Sequence, residues 1–380
     1  MVPVALARPV EPLPLLVVPF LIAAVLALAF TPAVRRLARR YGMLDRPNAR
    51  RVNVVPMPRA GGLAVAAAFL ATASAFLIVN DQQHLVRLPS SIGQGELTGL
   101  LLGGAAAALI GALDDYFQLR ARWQLVGQAF VAVLAVALGI EVGSLQSPFG
   151  GTINVGGLLA AVVSVVWIIG MINSINFIDG LDGLSSGIGL IAAITLGLIS
   201  IGGQVGIDSQ LFVAILCFML AGALAGFLRW NFHPATIFTG TSGVMFLGFT
   251  LAALSILGAA KVAVALLVLG IPIIDTFWII VRRLLSRRSP FTPDRGHIHH
   301  RLLDLGLRHT QAVLLIYAIC VSLGVLSLAL SGTGQLYAFM GIVVIFGLIL
   351  LVLTQTTVAE DLSAESYANG HSGDAPGPSR

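Results

Sequence analysis

Apolar runs long enough to cross a bilayer recur along this chain from about residue 13 to residue 355. Each covers about 17–25 residues, the length an α-helix needs to span roughly 30 Å of hydrocarbon. Backbone N–H and C=O groups find no water there, so the runs are predicted as helices and not as open strands. Eleven spans are predicted, over 13–34, 61–80, 97–113, 124–140, 157–175, 187–203, 210–228, 242–260, 262–281, 311–331 and 335–355. The region 242–281 reads either as two spans joined by a tight turn at Lys261 or as holding a broken helix. Of the 380 residues 57% are hydrophobic and only 10% charged, which excludes an ordinary soluble domain. The predicted fold class is an all-α integral membrane protein, a polytopic bundle of about eleven transmembrane helices. An N-terminal segment, 1–12, precedes the membrane domain, 13–355. The polar tail, 356–380, has the composition of a disordered segment.

Charge orients the bundle. Eighteen of the 22 Lys and Arg residues fall in 35–60, 114–123, 176–186, 229–241 and 282–310. The alternate connections hold Arg8, Arg87 and Lys261, and Arg380 lies in the tail. By the positive-inside rule the first set faces the cytoplasm, the N-terminus lies outside, and eleven spans return the C-terminus to the cytoplasm. The expected location is the plasma membrane. The net charge of +5 does not indicate nucleic acid, because the arginines border spans as topology signals do. The single Arg8 before several prolines is not the basic region of a signal peptide, so the first span is expected to be retained. Cys217 and Cys320 both sit inside spans, which argues against a disulfide framework.

Costly polar residues gather on the basic side. Asp114 and Asp115 close a span, set against the negative end of their helix, so a divalent cation or a substrate proton is expected to offset them. Asn173, Asn176, Asp179 and Asp182 recur every three residues, and Gly180 and Gly183 then break the helix. Amide and carboxylate groups so placed suit a metal, a ribose or a base edge; a capped helix end is the plainer alternative. His297, His299 and His300 share a loop with Arg282, Arg283, Arg287, Arg288, Arg295 and Arg301. Arginine forks and imidazole donors fit phosphate oxygens. A zinc site in that loop lacks a cysteine and a correctly spaced fourth ligand. Arg59 sits in Pro56-Met-Pro-Arg-Ala-Gly-Gly62, and Phe238 in a glycine-containing loop where it can stack on a flat base. Asp275 is intramembrane and needs a partner, with a cytoplasmic arginine or Thr276 the expected ones. These features describe a site for an anionic, phosphorylated ligand on one face. A transporter would need polar residues near the midplane of several spans.

The order Pro-Arg-x-Gly-Gly, Asp-Asp, Asn-x-x-Asn-x-x-Asp-Gly-x-Asp-Gly-Leu, Pro-Ala-x-x-Phe-x-Gly and His-Ile-His-His-Arg-Leu resembles the polyprenyl-phosphate N-acetylhexosamine-1-phosphate transferases. The likeness covers about residues 13–330, and the His-Ile-His-His form is similar to the branch that transfers GlcNAc-1-phosphate. It implies transfer of a sugar 1-phosphate from a UDP-sugar to undecaprenyl or decaprenyl phosphate, releasing UMP, with Mg²⁺ (or Mn²⁺) as cofactor. Asp114 and Asp115 would then be catalytic, activating the lipid phosphate or helping to hold metal. Asn173, Asn176, Asp179 and Asp182 would hold metal and nucleotide, and Phe238 would stack on uracil. Arg59, His297, His299, His300 and Arg301 would bind substrate. The resemblance also marks departures. Thr241 stands where the family has a metal-binding aspartate, in Gly240-Thr-Ser-Gly-Val244. Asn53 replaces a histidine, and Gln124 a frequent lysine. Either neighbouring carboxylates still hold the metal, or the chain is a catalytically impaired paralogue that binds nucleotide-sugar or lipid. A homodimer is left open.

Overall fold

The computed structural model describes residues 12–45, 56–89, 92–202, 210–258, 262–285, 297–330, 332–345 and 347–348. The expectations for the N-terminal segment, Asn53, Arg287, Arg288, Arg295, Lys261 and the tail fall outside these residues.

Helices dominate, as the apolar runs require. Eight are long and apolar enough to cross a membrane: α1 (Pro12–Arg40), α2 (Gly62–Gln83), α3 (Gln94–Phe117), α5 (Gly157–Ile178), α6 (Leu184–Ile201), α7 (Gln210–Asn231), α8 (Gly240–Leu257) and α12 (His309–Ala329). A ninth is broken: α9 (Val262–Val268) and α10 (Gly270–Leu285) meet at 79°. Pro272 lies in the first turn of α10, where a missing N–H costs nothing. The region 242–281 therefore contains one span and one broken span. The two remaining predicted spans correspond to shorter apolar helices, α4 (Ala121–Ala137) and Thr333–Ile345. At 1.5 Å per residue α4 is about 25 Å long, at the lower limit for a crossing. A seven-residue helix, α11 (Ile298–Asp304), precedes α12. Two small antiparallel ladders complete the described chain: β1 (Leu44–Asp45) with β2 (Met57–Pro58), and β3 (Ser144–Gln146) with β4 (Thr152–Asn154).

α8 is the centre of the bundle, with 89% of its apolar window buried against 22% for α1. Small residues let its neighbours approach, the usual basis of helix packing in lipid. A Cβ on Gly62 of α2 would lie 1.8 Å from Gly243 Cα, so those two backbones touch. On α3, Gly103 seats the ring of Phe249. Gly222 and Gly226 of α7 lie against the carbonyls of Phe20 and Ala24 on α1. Cys217 and Cys320 are buried and not joined in a disulfide. Large apolar side chains such as Leu21, Val25, Phe130, Val133 and Leu159 point outward and form a lipid-facing surface. α1, α3, α5, α7 and α10 end, and α2, α4, α6, α8 and α12 begin, with the segments that carry most of the arginines and the polar motifs.

Candidate active site

Asp114 and Asp115 lie in the last turn of α3 and are almost fully buried. The N-terminus of α8 faces them. Asp115 Oδ1 accepts the Thr241 N–H at 2.8 Å, and Oδ2 accepts the Ser242 N–H at 3.0 Å. These N–H groups have no partner within their own helix, and the helix dipole adds positive potential. Arg59 Nε donates to Asp115 Oδ1 at 2.9 Å, and its Nη2 donates to Thr241 Oγ1 at 3.2 Å. Thr241 Oγ1 in turn donates to Asp114 Oδ2 at 2.5 Å. The other oxygen of Asp114 accepts Leu119 N–H at 2.9 Å and Gln124 Nε2 at 3.0 Å. A second helix terminus and one guanidinium thus offset part of the charge of the two carboxylates.

Local glycines make this contact possible. A Cβ on Gly111 would meet Ser242 Cα at 2.4 Å, so only glycine lets α3 reach the start of α8. Gly240 has φ +72°, which turns the chain into α8 with its N–H groups aimed at Asp115. Before that turn, the loop holding Phe238 pairs with the segment holding Arg59. Phe238 N–H bonds Pro58 O at 2.8 Å, and Gly61 N–H bonds Phe238 O at 2.9 Å. Arg59 is therefore fixed beside the aspartates, and the Phe238 ring is half-buried next to it in the chain pairing.

The three-residue repeat at the end of α5 divides into separate environments. Asn173 Nδ2 donates to Gln128 Oε1 of α4 at 2.7 Å and to Ile169 O at 2.8 Å. Asn176 is half-buried and its side chain has no hydrogen bond among the described residues. Asp179 is the C-cap of α5 and accepts the hydroxyl of Ser185, which lies 3.3 Å from Thr239 Oγ1. Burial pushes the Asp179 carboxyl up to about 6; the charge of Asp115 adds to the rise, and Ser185 and Arg59 oppose it. Asp179 therefore belongs with Asp115. Asp182 does not: its Oδ2 meets His233 Nδ1 at 2.8 Å and accepts Ala235 N–H at 3.1 Å. The even spacing in the sequence concealed this division.

The histidine motif is held by Asp275. Its Oδ2 lies 2.8 Å from Nδ1 of His297, the N-cap of α11, and its Oδ1 accepts the Ile298 N–H at 3.0 Å. The expected partners were an arginine or Thr276; Thr276 Oγ1 has no hydrogen-bond partner among the described residues. His299 is buried against Gly180, where a Cβ would lie 2.1 Å from Nε2. Burial, and then the neighbouring His300 and His297, hold its pKa well below the usual histidine range, so it is neutral. His300 and Arg301 follow on α11 and are half-buried. Three contributors had no recognised signal in the sequence: Ser185, His233 and His309, the last of which accepts the Asp182 N–H at 2.9 Å. His233 and His309 lie 51 and 127 residues from Asp182, and no spacing reveals them.

Asp114, Asp115 and Asp179 offer the hard oxygen donors that Mg²⁺ takes, and burial, with the charge of Asp115 adding to it, raises the Asp179 pKa. They suit an ion that uses one or two carboxylates and fills its shell with phosphate oxygens and water. They do not form a closed cage. Among the described residues, the one cluster of three or more His, Cys, Asp or Glu side chains with ligand atoms within 4.8 Å is Asp182, His233 and His309. Of the other predicted ligands, Asn173 donates its amide nitrogen to Gln128, and the Thr241 hydroxyl bonds Asp114 and Arg59 within the same cluster.

Comparison with known proteins points one way. The profile described as glycosyl transferase family 4 matches residues 97–259. The chain is 32% identical to a probable undecaprenyl-phosphate N-acetylglucosaminyl 1-phosphate transferase of Bacillus subtilis, over 80% of this chain and 82% of that one. It is 34% identical to a decaprenyl-phosphate N-acetylglucosaminephosphotransferase of Mycolicibacterium smegmatis, over 88% and 87%. An undecaprenyl-phosphate alpha-N-acetylglucosaminyl 1-phosphate transferase of Yersinia pestis is 30% identical, over 76% and 77%.

Proposed function

The chain belongs to the polyprenyl-phosphate N-acetylglucosamine-1-phosphate transferases of glycosyl transferase family 4, and from that premise we propose that it transfers GlcNAc-1-phosphate from UDP-GlcNAc to undecaprenyl or decaprenyl phosphate. An oxygen of the lipid phosphate attacks the β-phosphorus of the donor. The bond from that phosphorus to the bridging oxygen breaks, and UMP leaves with the electron pair. The product is a lipid-linked diphosphate sugar, the first membrane intermediate of a cell-envelope polysaccharide.

The observation that carries this reading is the junction of α3, α8 and the Arg59 segment, joined at Asp114, Asp115 and Thr241. Phosphoryl transfer needs positioning and charge compensation more than covalent help. Arg59 supplies a fixed cation next to two carboxylates. Asp114 and Asp115 would activate the lipid phosphate or help to hold metal; the oxygens of both already accept hydrogen bonds from the surrounding segments. Mg²⁺, or Mn²⁺, held by Asp114 and Asp179 with substrate oxygens, would neutralise the donor diphosphate. Asn176 and Phe238 would receive the nucleotide, and His297, His300 and Arg301 would contact phosphate or sugar. Neutral, buried His299 would hold α11 against Gly180. Eleven spans, with α4 and Thr333–Ile345 among them, would place this site at the cytoplasmic face.

A second reading rests on Thr241. Its hydroxyl bridges Asp114 and Arg59, so the cluster is partly satisfied without a metal. In that reading the chain binds nucleotide-sugar or lipid with little turnover. The deciding experiment measures UMP release by purified protein given UDP-GlcNAc and undecaprenyl phosphate, with and without Mg²⁺, alongside Thr241→Asp. Metal-dependent release by the native protein supports the transferase. Release only by the variant supports the impaired reading, and silence from both removes the substrate assignment.

A further inference from the structure

Asp182, His233 and His309 come from three elements: the turn between α5 and α6, the loop after α7, and the first residue of α12. Their ligand atoms all lie within 4.8 Å of one another. We propose that these three side chains bind a divalent transition-metal ion of the zinc class, at a site separate from any Mg²⁺ held by Asp114 and Asp179.

The donor set decides the class of ion. Two imidazole nitrogens and one carboxylate favour zinc, cobalt or nickel over magnesium, which prefers oxygen. The nitrogens are in a suitable state. Asp182 N–H donates to His309 Nε2 at 2.9 Å, so that nitrogen carries a lone pair and no proton. His233 Nδ1 lies 2.8 Å from Asp182 Oδ2, and the two imidazoles stack with centroids 4.3 Å apart and 21° between planes. Ligands about 2.0–2.2 Å from one tetrahedral ion stand roughly 3.4 Å from each other. The ligand atoms lie within 4.8 Å, and reaching that spacing requires the two stacked rings to turn apart so that both in-plane lone pairs face the ion. Ala235 N–H holds the Asp182 carboxylate at 3.1 Å, the kind of support that orients a ligand. The His233 side chain is 40% exposed, which leaves an entry path and a position for water. An entering ion replaces the Asp182–His233 contact and the Asp182 N–H···His309 bond. Two hydrogen bonds are a small loss beside the binding energy of such a site.

The inference does not depend on the transfer reaction, since its readout needs no substrate. Protein purified without a polyhistidine tag, and stripped with chelator, is titrated with Co²⁺ in excess Mg²⁺. One equivalent is expected, with the visible absorption of four-coordinate Co²⁺, displaced by one equivalent of Zn²⁺. His233→Ala and His309→Ala should each weaken binding at least about tenfold, and His300→Ala should leave it unchanged. On the native protein, Zn²⁺ should protect His233 and His309 from diethylpyrocarbonate, read by peptide mass spectrometry. Absence of Co²⁺ binding, loss of binding in His300→Ala instead, or unprotected His233 and His309 in the native protein would each overturn the site.

Discussion

Arg59, Asp115 and Thr241 tie three segments together at the junction where we propose the chemistry takes place. Asp115 binds the first turn of α8 through two backbone N–H groups and pairs with Arg59. Asp115→Asn loses the charge and turns one acceptor into a donor facing an N–H. We expect UMP release to fall about 100-fold or more and the thermal midpoint to drop. Thr241→Asp puts a third carboxylate beside Asp114 and Asp115. Its thermal midpoint should be lower than the native one in chelator and should rise more on adding Mg²⁺; equal responses would remove position 241 from the metal site. Asp179 gives a pH test. Its pKa is raised from 3.8 to about 6, so the protonated form is favoured in the fold. The sign follows: its contribution to stability is full below pH about 4 and is lost as pH rises through about 6. In chelator the midpoint should decline across that window, and Asp179→Asn should flatten the decline.

At the level of elements, the most dependent piece is α11. Seven residues do not hold a helix in isolation. Asp275 caps it, His297 enters through the same carboxylate, and His299 packs it against Gly180. Asp275→Ala removes the cap, worth about 0.5–2 kcal/mol, and leaves His297 without its partner. The expected result is faster hydrogen exchange over 298–304 and a raised KM for the nucleotide-sugar, with a smaller change in kcat. Asp275 was visible in the sequence as a costly intramembrane carboxylate, yet its partner was not. Twenty-two residues and the end of α10 separate it from His297, so no local periodicity joins them.

The whole molecule raises the question of sidedness. Phe149, between β3 and β4, is 98% exposed at the opposite end of the chain's alternation from Arg122. With Cys217 and Cys320 buried, introduced cysteines can be labelled against a low background. In intact cells a membrane-impermeant maleimide should label Phe149→Cys and spare Arg122→Cys. The reverse pattern would invert the proposed orientation.

The sequence by itself determined the class of fold, the helical runs and the identity of most polar residues in the site. Those follow from length, apolarity and the cost of polar groups in hydrocarbon, all of which are local properties. Tertiary structure decided which of these residues meet. Asp115 is satisfied by the start of α8, Asp179 joins that cluster, and Asp182, only three residues on, turns to His233 and His309. The repeat is evenly spaced in the sequence, but the end of α5 at Ile178 and the turn before α6 send its members apart. Hydrogen bonds and charge act through space, and only the packing of α3, α5, α6 and α8 fixes those distances.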